Sequence, residues 1–152
     1  MKPPNIFKYE NRLAKTVVKK GGLSAGEAIA AADERVEQVR QPTLDDIDRA
    51  LGELAALGSE LKGPDAVTLE TMYRDANRIV AVAGVFGLGE LGDAAYSLCE
   101  LISRFQAGGR FSRPMVDVHL DGLKLLRQPQ DHAEDRRAEV LRGLRQVAAS
   151  VA

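Results

Sequence analysis

The sequence predicts an all-α protein, a four-helix up-down bundle with extra helices at its N- and C-terminal ends. Apolar residues recur at three- and four-residue steps in six segments, which is the helical period. Short connections containing Gly or Pro separate these segments, and each segment has one narrow apolar stripe. Apolar residues make up 45% of the 152 residues, enough to bury a full core. Amphipathic helices joined by short connections are typical of helical bundles.

Residues 1–22 are predicted to form a basic arm ahead of a bundle domain at residues 23–152. The arm carries six Lys and Arg residues against the single acid Glu10, and it ends in Gly21-Gly22. We expect one short helix within it, near Asn11–Lys19. A solvated tail and a docking arm for an acidic partner are both compatible with this composition.

Capping and breaking residues predict where each helix of the domain begins and ends. Ser24 and Glu27 fit a capping box at the start of the first helix. Pro42-Thr43 is expected to close that helix and to open the next one, with Thr43 as its N-cap. The later boundaries are expected at Gly63-Pro64, the Gly-rich corner after Phe86, Ala107-Gly108-Gly109 and Pro129. The residues expected to face the core are Ile29, Ala32, Val36, Val39; Leu44, Ile47, Leu51, Leu54, Leu57, Leu61; Leu69, Met72, Ala76, Ile79, Ala83, Phe86; Leu91, Ala95, Leu98, Ile102, Phe105; Met115, Val118, Gly122, Leu126; and Val140, Leu144, Val147, Val151.

Composition excludes several classes of function. A formal net charge of −1 provides no overall field for binding nucleic acid, and seven aromatics without Trp make a base-stacking platform hard to build. One cysteine cannot form an internal disulfide, and no signal peptide is recognisable. The longest run without a charge, residues 79–89, is too short to span a bilayer. We therefore expect a cytoplasmic protein with neither a nucleic-acid nor a membrane partner.

The segment Gly87-Leu88-Gly89-Glu90-Leu91-Gly92 satisfies G-x-G-x-x-G, the dinucleotide-binding fingerprint. That chemistry needs a strand before the glycines and a helix after them, for which residues 79–86 and 89–106 are candidates, with residues 115–120 as a second strand. Two observations oppose it: no ribose-binding acid stands roughly 20 residues further on, and the helical pattern from Leu69 continues into the supposed strand. A dinucleotide-dependent enzyme is therefore the alternative function. In the other interpretation of this segment, Gly87 and Gly89 form a tight corner between two antiparallel helices.

The segment Asn77-Arg78-Ile79-Val80-Ala81 resembles the histidine-phosphotransfer (HPt) family. The family motif is H-x-L-K-G, followed by an apolar residue and Gly nine and ten positions after the His, where Phe86-Gly87 stands here. Leu91, Ala95 and Leu98 also fall at family positions on the next helix. The resemblance covers roughly residues 43–127. It implies the family's four-helix bundle and docking on a response-regulator receiver domain or a histidine kinase.

The three chemical positions of the motif differ from the family pattern. Asn77 stands at the phospho-accepting histidine, and its amide nitrogen is no nucleophile because its lone pair is delocalised into the carbonyl. Val80 replaces the Lys that would neutralise a phosphoryl group, and Ala81 replaces the Gly. The resemblance therefore implies a pseudo-HPt protein: an adaptor or competitor without catalytic residues or a cofactor, not an enzyme.

A partner-binding face is predicted on the helix that carries Asn77. Tyr73, Asn77, Val80, Ala81 and Gly84 lie opposite its apolar stripe at 3.6 residues per turn, and Arg78 is counted with them. Small side chains at this face would let a partner approach the backbone closely. The open alternatives are burial of these residues inside a tight bundle, and a helical scaffold or oligomerisation module without a signalling role.

The two histidines are interpreted as non-catalytic. His119 lies between Asp117 and Asp121, whose charges would repel a phosphoryl group, and Lys124 is off its helix face. We therefore interpret it as a structural histidine beside the core stripe, and His132 as a solvated residue. Cys99 is interpreted as a small buried hydrophobe.

No metal site is predicted. Two histidines and one cysteine without paired spacing are too few for a structural zinc site. Asp45, Asp46 and Asp48 are better explained by a helix start, where acids are favoured by the helix dipole.

Overall fold

The computed structural model describes residues 22–128 and 134–151, and all regular structure in these residues is helical. The helices are α1 (Ala25–Glu60), α2 (Ala66–Ala83), α3 (Gly89–Gln106), α4 (Arg113–Arg127) and α5 (Glu134–Ala149), with one 3₁₀ turn (Gly84–Phe86) between α2 and α3. The predicted all-α fold is confirmed. The predicted arm, apart from Gly22, and His132 lie outside the described residues. None of the described helices is long and apolar enough to cross a membrane.

The predicted break at Pro42-Thr43 is wrong, because α1 runs through it as one 36-residue helix. Proline removes one backbone donor, which leaves the carbonyl of Gln38 without its helical partner. Two side-chain bonds support the helix here: the Thr43 hydroxyl donates to the Val39 carbonyl at 2.8 Å, and the Gln41 amide donates to Asp45 at 2.7 Å. Thr43 therefore bonds backward within the helix and does not cap a new one.

The chain divides into two compact units, Met1–Gln38 and Val39–Ala152, with the division inside α1. In the first unit the predicted capping box is present: the Ser24 backbone donates to Glu27 at 2.7 Å, and the Glu27 backbone donates to the Ser24 hydroxyl at 3.3 Å. The expectation that Ile29, Ala32 and Val36 face a core is wrong. All three side chains are exposed, as is Val39 at the start of the second unit.

Four helices of the second unit alternate in direction. Contacts between neighbours run antiparallel along the sequence, which is the up-down arrangement expected. The pairs are Asp46–Arg78 for α1–α2; Ala83–Gly92 and Tyr73–Cys99 for α2–α3; Ser97–His119 for α3–α4; and Asp48–Arg127 and Gly58–Leu120 for α1–α4. The three aspartates expected at a helix start are therefore mid-helix, and Asp46 and Asp48 pair with arginines of α2 and α4.

The predicted stripes of α2 and α3 form the centre of the core. Leu69, Met72, Ala76, Ile79 and Ala83 are buried, as are their counterparts on α3. The stripe predicted for α4 is partly wrong, since Val118 is exposed and Met115 only half-buried. Gly122 and Leu126 are buried as predicted, and the buried face of α4 consists of Val116, His119, Leu120, Gly122, Leu123 and Leu126. It is turned relative to the prediction because a histidine occupies a core position.

Helix α5 packs against α3 and α4 as a fifth helix. Its buried Arg137 forms an ion pair with Glu90 in the first turn of α3 and donates to the Leu126 carbonyl at 2.8 Å. Gly122 lets Leu144 approach the α4 backbone, since a Cβ at Gly122 would lie 2.9 Å from the Leu144 Cδ1 atom. These contacts join α5 to α3 and α4.

Candidate functional site

Helix α2 carries the candidate site, and its start is well defined. The Asp65 carboxylate accepts from the Thr68 backbone at 2.7 Å, a cap that the sequence analysis missed next to Gly63-Pro64. Hydrogen bonding with the side chain of Thr68 and with its backbone lowers the pKa of Asp65, because both stabilise the charged carboxylate. The buried face of α2 then fixes the rotation of the helix and so determines which residues point outward.

The predicted docking residues lie at the surface. Asn77, Ala81 and Gly84 are exposed, whereas Tyr73 and Val80 are half-buried and pack against the core. A side chain at Gly84 would meet no atom within 4 Å, so this position is open. The alternative in which these residues fill a tight bundle interior does not hold for Asn77, Ala81 and Gly84. These three exposed residues carry no charge themselves.

Arg78 points away from this face, toward α1. Its Nη2 donates to both carboxylate oxygens of Asp46 at 2.9 and 3.0 Å, and its Nη1 lies 3.4 Å from Glu53 and 3.5 Å from Asp75. The pKa of Arg78 is raised, mainly because its hydrogen bond to the Asp46 carboxylate stabilises the charged guanidinium. The ion pairs of Arg78 therefore join α2 to α1. Its side chain points away from the other residues predicted for the docking face.

The Gly-rich corner has a structural role at two of its glycines. Gly87 has φ +77°, and the backbone bonds Leu88 to Ala83 at 2.9 Å and Gly87 to Gly84 at 3.5 Å complete a Schellman motif around it. Gly92 lets α3 approach α2, since a Cβ there would lie 3.3 Å from that of Ala83. Gly89 begins α3 in open space.

The dinucleotide alternative lacks its structural requirement. Both supposed strands are helical, within α2 with its 3₁₀ turn and within α4, and the part of the chain that the structure describes contains no strand. Glu90, in the first turn of α3, is paired with Arg137 and places a carboxylate where a pyrophosphate would bind.

Two features of the surface around Asn77 were missed by the sequence analysis. Tyr96 on α3 is 57% exposed and, with Tyr73, lines a groove of about 410 Å³ between α2 and α3. Arg74, one turn before Asn77, has a side chain 70% exposed. Both residues sit in ordinary amphipathic positions, so no sequence signal separates them from solvated side chains.

His119 is sealed in the core between α3 and α4. Its Nδ1 lies 2.8 Å from the Met115 carbonyl, and its Nε2 lies 3.0 Å from the Ser97 hydroxyl. Because a carbonyl only accepts, Nδ1 carries the proton and Nε2 accepts from Ser97. Burial lowers the pKa of His119 by disfavouring the charged ring. This agrees with the structural interpretation, and a phosphoryl donor has no access to either nitrogen.

Cys99 and the acidic side chains form no further site. Burial raises the pKa of the Cys99 thiol to about 11, which suppresses the reactive thiolate. Within residues 22–128 and 134–151, no three His, Cys, Asp or Glu side chains are grouped so that they could hold a metal ion.

Comparison of the chain with family models, with characterised proteins and with solved structures finds no match. The likeness to HPt domains thus depends on the motif positions around Asn77 and Phe86-Gly87. The geometry of α2 and α3 is the basis for assigning a function.

Proposed function

We propose that this chain is a non-phosphorylatable HPt-like protein that docks on a receiver domain or a histidine kinase of two-component signalling, as an adaptor or a competitor. The observation that carries the proposal is the place of Asn77. It occupies the motif's histidine position on an exposed face of α2 that has small side chains, within an antiparallel four-helix arrangement.

The side chains on this face are suited to contact and not to phosphoryl transfer. The Asn77 amide cannot attack phosphorus, and half-buried Val80 provides no cation to neutralise a phosphoryl group. Arg78, the nearest basic residue in sequence, is bonded to Asp46. His119, the histidine within the described residues, is fully buried.

The same substitutions favour a close and dry interface. Asn77, Ala81 and Gly84 offer little bulk, so the backbone of a partner can approach α2. Val80 and Tyr73 add apolar surface at the edge of this area, and interface cores are depleted of charge and enriched in aromatic residues. Tyr96 extends the apolar surface onto α3.

Two measurements test the proposal. In the first, the full chain is incubated with histidine kinases and phosphorylated receiver domains from the same organism, and acid-labile phosphate is measured. We expect none on this chain, while the receivers are expected to bind it. Phosphate stable to base and labile to acid on the chain would overturn the pseudo-HPt assignment.

The second measurement compares binding by Ala81→Glu and Ala138→Glu. Both alanines are exposed and helical, one on the proposed face and the other on α5. We expect Ala81→Glu to abolish binding and Ala138→Glu to leave it unchanged, with equal helix content by circular dichroism. Equal binding by the two variants would remove α2 as the interface. If no receiver or kinase binds the wild-type chain, the remaining interpretation is a helical scaffold.

A further inference from the structure

Two basic residues of α2 border the docking face. They stand one turn apart, at positions 74 and 78, yet their surroundings differ. Arg78 is held by Asp46, Glu53 and Asp75. For Arg74 the structure gives one ion pair, from Nε to Asp75 at 3.9 Å, and most of its side chain is in solvent.

The acids near Arg74 are already engaged elsewhere. Asp75 is buried and shared with Arg78, whose Nη1 lies closer to it, at 3.5 Å. Glu70, one turn earlier on α2, accepts a hydrogen bond from Gln106 of α3 at 3.1 Å. Arg74 is thus the basic side chain of α2 that keeps most of its donors for a partner, since a guanidinium has five N–H groups.

The position of Arg74 places this charge at the border of the proposed docking face. It precedes Asn77 by three residues, about 4.5 Å along the helix axis, and it lies at the mouth of a groove of about 620 Å³ between α1 and α2. On the other side of Asn77, the exposed residues Ala81 and Gly84 carry no charge themselves. A partner bound to this face would meet an apolar area and, about one helical turn away, a guanidinium.

We infer that Arg74 is the electrostatic anchor of the docking face and binds a carboxylate side chain of the partner. This inference rests on the proposed function and adds the chemistry that selects among partners. A carboxylate placed about one turn from the centre of contact would form a charge-assisted bond with Arg74, and a partner without it would leave the guanidinium unpaired. Such rim charges act mainly on association rate and on specificity.

The experiment measures binding of the full chain to receiver and kinase domains from the same organism, at about 50 mM and about 500 mM salt. Arg74→Glu should weaken binding about tenfold or more at low salt, since like charges at an interface are strongly unfavourable. The difference should shrink at high salt because exposed charges are then screened. Arg74→Lys should retain most of the affinity, and Arg74→Gln should fall between the two.

Arg142→Glu, an exposed α5 position, is the matched control and should bind as wild type. Unchanged binding by both Arg74→Glu and Arg74→Gln would overturn the inference while leaving the proposed function in place. A loss that is equal at both salt concentrations would overturn the electrostatic role. Absence of any partner for the wild-type chain would overturn the proposed function and this inference together. Rescue of Arg74→Glu by Lys in place of one partner carboxylate would identify the bound group.

Discussion

Replacing Ser97 by Ala tests whether the buried His119 is held as the structure indicates. Ser97 and His119 are 1% and 0% exposed, and the hydroxyl is the partner of the ring Nε2 at 3.0 Å. Ser97→Ala removes that donor and leaves a buried acceptor without a hydrogen bond. Such a group costs about 1–3 kcal/mol. For a domain of this size, this corresponds to a fall in melting temperature of roughly 2–12 °C.

The assay is urea unfolding at pH 8, followed by circular dichroism, with Ser103→Ala as the matched control. Ser103 is exposed on the same helix, so its replacement measures the gain in helix propensity without touching His119. The double variant Ser97→Ala/His119→Phe should recover much of the loss, because removing both partners of a buried bond is far less costly than removing one. If Ser97→Ala is as stable as Ser103→Ala, the bond to Nε2 does not hold the ring.

Two further predictions follow from the same contacts. Burial holds the pKa of His119 below its ordinary 6.5, so the unfolded chain takes up the proton at a higher pH than the folded chain does. The free energy of unfolding should therefore fall as the pH drops below about 6.5. In the variant Ser97→Ala/His119→Phe, which lacks this histidine, it should fall by less. A pH dependence equal in the two proteins would contradict a neutral buried ring. Gly87→Ala should destabilise the chain by about 1–2 kcal/mol, since an L side chain is strained at φ +77°, whereas Gly89→Ala, in open space, should cost nothing; equal effects would show that the corner tolerates a side chain.

The fold class was predictable because the helical period is a local property of the sequence. The stripes of α2 and α3 are regular, and almost every residue assigned to the core there is buried. The errors occurred where a local rule competed with packing. Pro42 predicts a helix break, but it removes only one backbone hydrogen bond of the helix. Thr43 and Gln41 support the helix around it by side-chain bonds to neighbouring turns.

The candidate site was predictable in part. Residue spacing placed Asn77, Ala81 and Gly84 on one face, and that face is exposed. Arg78 was counted with them, yet its ion pair with Asp46, on another helix, directs its side chain toward α1. Tyr96 and Arg74 were missed because their importance depends on neighbours that are distant or already engaged.

By itself, the sequence determined that this chain forms amphipathic helices and that residue 77 carries an amide, which is no nucleophile, since periodicity and side-chain chemistry are local. Only the tertiary structure decided which charged side chains remain available to a binding partner. Two arginines one turn apart look equivalent in the sequence. One is bonded to α1 and the other projects into solvent, because the rotation of α2 against its neighbours directs each side chain to different partners.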